Sequence, residues 1–132
     1  MRFIDFGSGE NPRQNSEIAS GVEAVAPLEL SRSRRPSSFV ELRGLRYELL
    51  IGLASDVGCI QASLVDSGGP YEMAVVDGSV PLDDADPIEF DMQGEPTPVR
   101  LRFIVPIDTL KSIVREFVDT QEKPDSVVWE MI

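Results

Sequence analysis

Between Phe39 and Val105 the apolar residues of this chain recur with a period of two, in short segments divided by turn-forming residues. Phe39, Glu41 and Arg43 alternate with Val40 and Leu42. Leu45, Tyr47, Leu49, Ile51 and Leu53 share one face of the next segment. Ile60, Ala62 and Leu64 alternate with Cys59, Gln61 and Ser63. Asp66–Pro70 reads as a hairpin loop, and Tyr71, Met73 and Val75 begin its return strand. Ile88, Phe90 and Met92 point one way, Glu89 and Asp91 the other. A turn over 93–98 and a return strand through Val99, Leu101, Phe103 and Val105 would set those two acids opposite Arg100 and Arg102. Short strands divided by short loops pair antiparallel.

The helical period appears at the two flanks. Ser16 is placed to cap a first helix, with Ile18, Val22, Val25 and Ala26 on one stripe and Pro27 limiting it. The serine- and arginine-rich stretch 31–38, with Arg32, Arg34 and Arg35, reads as a solvated loop. Pro106 opens a second helix, and Asp108 complements its positive end. Ile107, Leu110, Ile113, Val114, Phe117 and Val118 form its apolar stripe, and Arg115–Asp119 is an i,i+4 pair on its outer face. A first strand is expected over 2–6 and a last one over 127–131, where Trp129 reads as core. The expected fold is α+β: an antiparallel sheet of about five to seven strands with two helices packed on it in two layers. The 132 residues suit one domain, 1–132, large enough to bury a core without disulfides or a structural metal.

The residue inventory narrows the chemistry. There is no histidine, which removes Ser-His-Asp and Cys-His nucleophile systems and the commonest zinc ligands. Cys59 stands alone, fits a reducing compartment, and reads as a small core residue. No phosphate-loop or dinucleotide-binding glycine motif is present. The Asp83, Asp84 and Asp86 cluster lacks the spacing and glycine of a calcium loop. No metal, no cofactor and no catalytic residue is expected. The start of the chain has no long apolar stretch of the signal kind, so a cytoplasmic protein is expected.

Charge is distributed unevenly. The net charge is −11, from 23 acids and 12 bases. From Tyr47 to Val99 there is no Lys or Arg, yet eleven acids, while the rest of the chain is balanced. Such a field repels nucleic acid and anionic membrane and speeds the approach of a basic partner.

The C-terminal segment carries a resemblance. After the proline-led helix come Arg115-Glu116-Phe117, Thr120, Lys123-Pro124 and Trp129-Glu130. Upstream stand an acidic aspartate-proline loop and the strand Ile88-Glu89-Phe90 before Gly94. Over roughly residues 58–131 this resembles immunity protein family 1 of bacterial polymorphic toxin systems. The chain departs from the family pattern at Gln121, where a glycine usually follows the helix threonine, and at Glu95 and Pro96, where a large aromatic is usual. The resemblance implies a cytoplasmic protein that binds one cognate toxin and blocks it, the toxins often being nucleic-acid-targeting enzymes such as deaminases.

Composition and resemblance converge on one expectation: stoichiometric occlusion of the basic site of a toxin, a deaminase or nuclease, by the acidic middle of the chain. The expected contact residues are Asp77, Asp83, Asp84 and Asp86, with Tyr71 as an aromatic anchor beside its glycine-proline turn. The partner is a protein, with neither nucleic acid nor membrane bound, and the oligomeric state stays open. One rival is a small acidic regulatory or nucleic-acid-mimic module without a dedicated toxin. Another is a carboxylate-dependent hydrolase.

Overall fold

Consecutive strands β3 (Ser38–Arg43), β4 (Tyr47–Leu53) and β5 (Val57–Leu64) pair antiparallel, as their alternation and short turns require. The computed structural model describes residues 1–7, 13–33, 38–81, 86–92 and 94–132. On one side of this meander β1 (Arg2–Asp5) pairs with β3, and β2 (Gln14–Glu17) with β1. On the other side β6 (Glu72–Val75) pairs with β5, and β10 (Val128–Met131) with β6. The order is β10-β6-β5-β4-β3-β1-β2, with β9 (Val105–Pro106) paired to the start of β5. β7 (Ile88–Met92) and β8 (Glu95–Val99) make a separate antiparallel hairpin.

The period of two gives this sheet two different faces. Val40 and Leu42, then Leu49, Ile51 and Leu53, then Ile60 and Ala62 all point into one core. Helices α1 (Gly21–Ser33) and α2 (Ile107–Thr120) close that core from above. The α2 stripe lands as its spacing predicts: Leu110, Ile113, Val114, Phe117 and Val118 are all buried. Each side chain of this kind stabilises by roughly 1.5–3 kcal/mol when fully buried. Phe39, Cys59, Met73 and Val75 point to the opposite face, where the β7–β8 hairpin covers part of the sheet. The α+β architecture with helices layered on an antiparallel sheet is therefore as the sequence predicts.

Three local expectations are corrected. The first helix begins at Gly21, not after Ser16, and residues 14–17 are an edge strand instead. Its start is a Ser20-x-x-Glu23 capping arrangement: Glu23 N–H donates to Ser20 Oγ at 3.4 Å, and Ala19 N–H to Glu23 Oε2 at 2.9 Å. Pro27 does not limit the helix, which runs on to Ser33. An interior proline costs about 3 kcal/mol, but both sides of it are anchored. Ala24 and Leu28 are buried, and Ser31 Oγ donates to the buried Asp5 carboxylate at 2.7 Å. Arg32 thus belongs to the last helical turn, ion-paired to Glu29 at 2.6 Å; Arg34 and Arg35 lie outside the described residues.

The second correction concerns the hairpin. β8 spans the stretch expected as a turn, because Gly94, at φ +89°, turns the chain early. Glu89 then faces Pro98 and Asp91 faces Pro96, so neither acid lies opposite Arg100 or Arg102. Leu101–Phe103 is a 3₁₀ turn, not a strand. Trp129 packs half-buried against the core, in line with its reading as a core residue, its Nε1–H donating to Pro124 O at 2.9 Å.

The third correction concerns Asp119. It does not pair with Arg115 but accepts the Gly21 N–H at 2.7 Å, tying the start of α1 to the end of α2. A Cβ at Gly21 would stand 2.4 Å from the Arg115 carbonyl oxygen. Gln121 ends α2 in the left-handed region at φ 62°, the geometry that glycine takes more readily, and donates its N–H to Phe117 O at 2.8 Å.

Among the described residues no helix is long and apolar enough to cross a membrane. The helix contact gives a sign test. Glycine to alanine normally favours a helix by up to about 1 kcal/mol. Gly21→Ala is expected to destabilise instead, by about 1–3 kcal/mol through overpacking, read as a lower midpoint in urea denaturation.

Candidate functional site

The hairpin side of the sheet carries both the acidic residues and a groove. Phe90 is the hairpin's inward anchor, buried with its ring 5.9 Å from Phe39, edge to face. It reaches the sheet because residue 52 is glycine: a Cβ there would lie 3.1 Å from Phe90 and 2.6 Å from Cys59 Sγ. The hairpin therefore sits over the Phe39–Gly52–Cys59 row and leaves the next row partly open, with Met73 buried and Leu50 and Gln61 half-buried.

This partly open row crosses five strands. Register sets Glu41 beside Leu50, Leu50 beside Gln61, Gln61 beside Met73, and Met73 beside Glu130. Leu50, Gln61, Met73 and Glu130 floor a groove of about 750 Å³, walled by Met92 and the β8 residues Thr97, Pro98 and Val99. β8 presents prolines at 96 and 98, both at positions that face away from β7, so its outer edge lacks two N–H donors and is a poor template for another strand. Side chains, rather than edge pairing, define this face.

The charged groups around the groove are unevenly matched. Glu130 accepts from Arg102 Nε at 2.9 Å. Arg102 also donates to Gly78 O at 3.0 Å and Val80 O at 2.6 Å, pinning the turn that carries Asp77. On the far side Arg43 is the ion-pair partner of both Glu48, at 4.0 Å, and Asp66. Glu41 forms no ion pair among the described residues. Burial first, then the neighbouring Glu48 carboxylate, holds Glu41 above the ordinary glutamate range, with Arg43 and Arg13 opposing the shift. Cys59 is buried beneath the hairpin, and desolvation pushes its thiol up to about 12, so it is no nucleophile at neutral pH.

The residues expected from sequence fall in three places. Asp77 is exposed in the turn after β6, its carboxylate held low by hydrogen bonds from the Ser79 hydroxyl and N–H. Asp86 is exposed just before β7. Asp83 and Asp84 lie outside the described residues. Tyr71 is 38% exposed and stands at the other end of β6 from Asp77. What sequence reasoning passes over is the floor row, Glu41, Leu50, Gln61, Met73 and Glu130. One signal for it is present: Leu50 is apolar although its neighbours Leu49 and Ile51 already fill the helix-side core. Among the described residues no group of three or more acids or cysteines gathers to hold a metal ion.

An α+β domain with one dry, helix-covered face and one acidic, grooved face has the make-up of a protein-binding module. The family model described as Immunity protein Imm1 matches residues 14–131, and the chain belongs to that family. The match begins well ahead of residue 58, where the resemblance in sequence starts, and takes in β2, α1, β3 and β4. Membership assigns the chain the part of an immunity protein for a toxin, and with it a protein partner. No curated protein matches the chain.

The Glu41 site gives a pH test. Its raised pKa means that the folded protein holds this proton more tightly than the unfolded chain. Its stabilising effect is full below the ordinary value of 4.5 and is lost as pH rises through the folded value. Glu41→Gln is therefore expected to raise thermal stability at pH 7–8, by less than about 1 kcal/mol because the group is partly solvated, and to leave it unchanged at pH 4. Paired melting curves at the two pH values check this.

Proposed function

We propose that this chain, as a single domain in the cytoplasm, neutralises a cognate toxin by covering its basic substrate site, one to one and without turnover. The toxin acts on nucleic acid, as a deaminase or nuclease does, and therefore presents cationic side chains where phosphates bind. The observation that carries this reading is which acids of the base-free stretch remain unmatched. Glu48, Asp66 and Glu72 are ion-paired to Arg43 or Lys123 within the fold. Asp56, Asp77, Asp86, Glu89 and Glu95 are exposed and form no ion pair among the described residues. They belong to turns and to the hairpin, where an approaching protein meets them first. Family membership supplies the toxin, and the unmatched acids supply the reason that a basic site would be drawn to this face.

Association kinetics test this. The partner is the toxin domain encoded beside this chain, made catalytically inactive. The on-rate is expected to fall steeply between 20 mM and 500 mM salt, as electrostatic steering does. The quadruple variant Asp77→Lys, Asp86→Lys, Glu89→Lys, Glu95→Lys should associate at least about tenfold more slowly at low salt. An on-rate indifferent to both salt and charge reversal contradicts the electrostatic mechanism.

A further inference from the structure

We propose that the groove between the hairpin and the open sheet is the anchor site for the toxin, taking one apolar side chain of a toxin segment while a neighbouring cationic side chain of that segment seats between Glu41 and Glu48. This rests on the reading of function above and names where on the protein it is carried out.

The groove has the size and chemistry for an anchor. Its volume of about 750 Å³ lies within the roughly 300–1,000 Å³ of sites that enclose a compact group. Leu50 and Met73 make the middle of its floor apolar, and Met92 and Val99 form an apolar wall. Methionines on both sides let the groove repack around an incoming side chain. Gln61, between Leu50 and Met73, offers an amide to a backbone group of the same segment. Loss of apolar surface from water inside a polar rim is the pattern of an interface hot spot.

Charge complementarity selects the occupant. Glu41 stands directly across from Leu50 on the same face of the sheet, outside the groove's own lining. Beside it are the Glu48 carboxylate and Arg43, a cation that Glu48 and Asp66 already share. Arg13 lies within electrostatic reach of Glu41, and Arg100 lines the groove at the hairpin wall. The other end of the floor is neutralised, because Glu130 is taken by Arg102. One end of the row therefore has an unmatched negative charge and the other does not. A lysine or arginine at the Glu41 end would relieve the Glu41–Glu48 repulsion, and its neighbour in the chain would reach the apolar floor. The exposed acids at the hairpin speed the encounter; the groove and Glu41 set how long the complex lasts.

The test uses the full chain and the inactive toxin domain encoded beside it, with affinity and dissociation rate read by biolayer interferometry. Gln61→Trp fills the groove, Glu41→Lys reverses the charge beside it, and Glu116→Lys, exposed on α2, is a control of equal charge change on the helix side. Gln61→Trp and Glu41→Lys should each weaken binding at least tenfold, chiefly through faster dissociation, and Glu116→Lys should stay within twofold of the natural chain. Melting curves confirm that each variant folds; Glu41→Lys, at a half-buried position, decides the matter alone if Gln61→Trp does not fold. Folded groove variants that bind within twofold of the natural chain overturn the groove assignment and leave the reading of function standing. A natural chain that does not bind this toxin overturns both.

Discussion

The hairpin face of this protein can be open because the sheet is anchored from its other side. Leu49, Ile51 and Leu53 of β4 point into the helix-covered core, and the α2 stripe through Leu110, Ile113 and Phe117 closes over them. The opposite face is covered in part, where Phe90 stands on Gly52 and Phe39, Cys59, Met73 and Val75 are buried in a second cluster with it, and the rest is left to other uses. A side chain at residue 52 would lift the hairpin, and the groove would lose its wall. Stability and site thus divide along the two faces of one sheet, and the period of two in the strands is what separates them.

On the helix side, Glu29 is shared by Lys111 and Arg32, which hold its carboxyl below the ordinary range. Asp119 takes the first N–H of α1. On the hairpin side, the base-free stretch leaves acids that the fold does not match. Surface ion pairs stabilise little, so leaving these acids unpaired costs the fold little as well. For an immunity protein, that unmatched charge is available to a partner.

How much of this can be read from sequence depends on the kind of signal each element carries. The apolar stripe of α2 is legible, because every position of it is apolar and all are buried but Ile107, which packs half-buried against the same core. α1 is not, because its buried positions are Gly21, Ala24, Leu28 and Ser31. Glycine is buried there for closeness to α2, and serine for its bond to Asp5, and hydropathy registers neither. The Ser20–Glu23 capping pair is the signal that would have placed its start. The central strands are legible, and the hairpin strand β8 is hidden by prolines that an outer edge tolerates. For the site, the excess of exposed acids is evident from composition, but their grouping is not. β6 sets Tyr71 and Asp77 at its two ends. The groove floor joins residues from β3, β4, β5, β6 and β10, and only register brings those together.

The central claim is that the toxin docks on the hairpin side of the sheet. Hydrogen–deuterium exchange of the chain, free and bound to its inactive toxin, tests it most directly. New protection is expected in β7, β8 and the turn around Asp77, with α1 and the outer face of α2 exchanging as in the free protein. Protection confined to the two helices, with the hairpin unchanged, would contradict it.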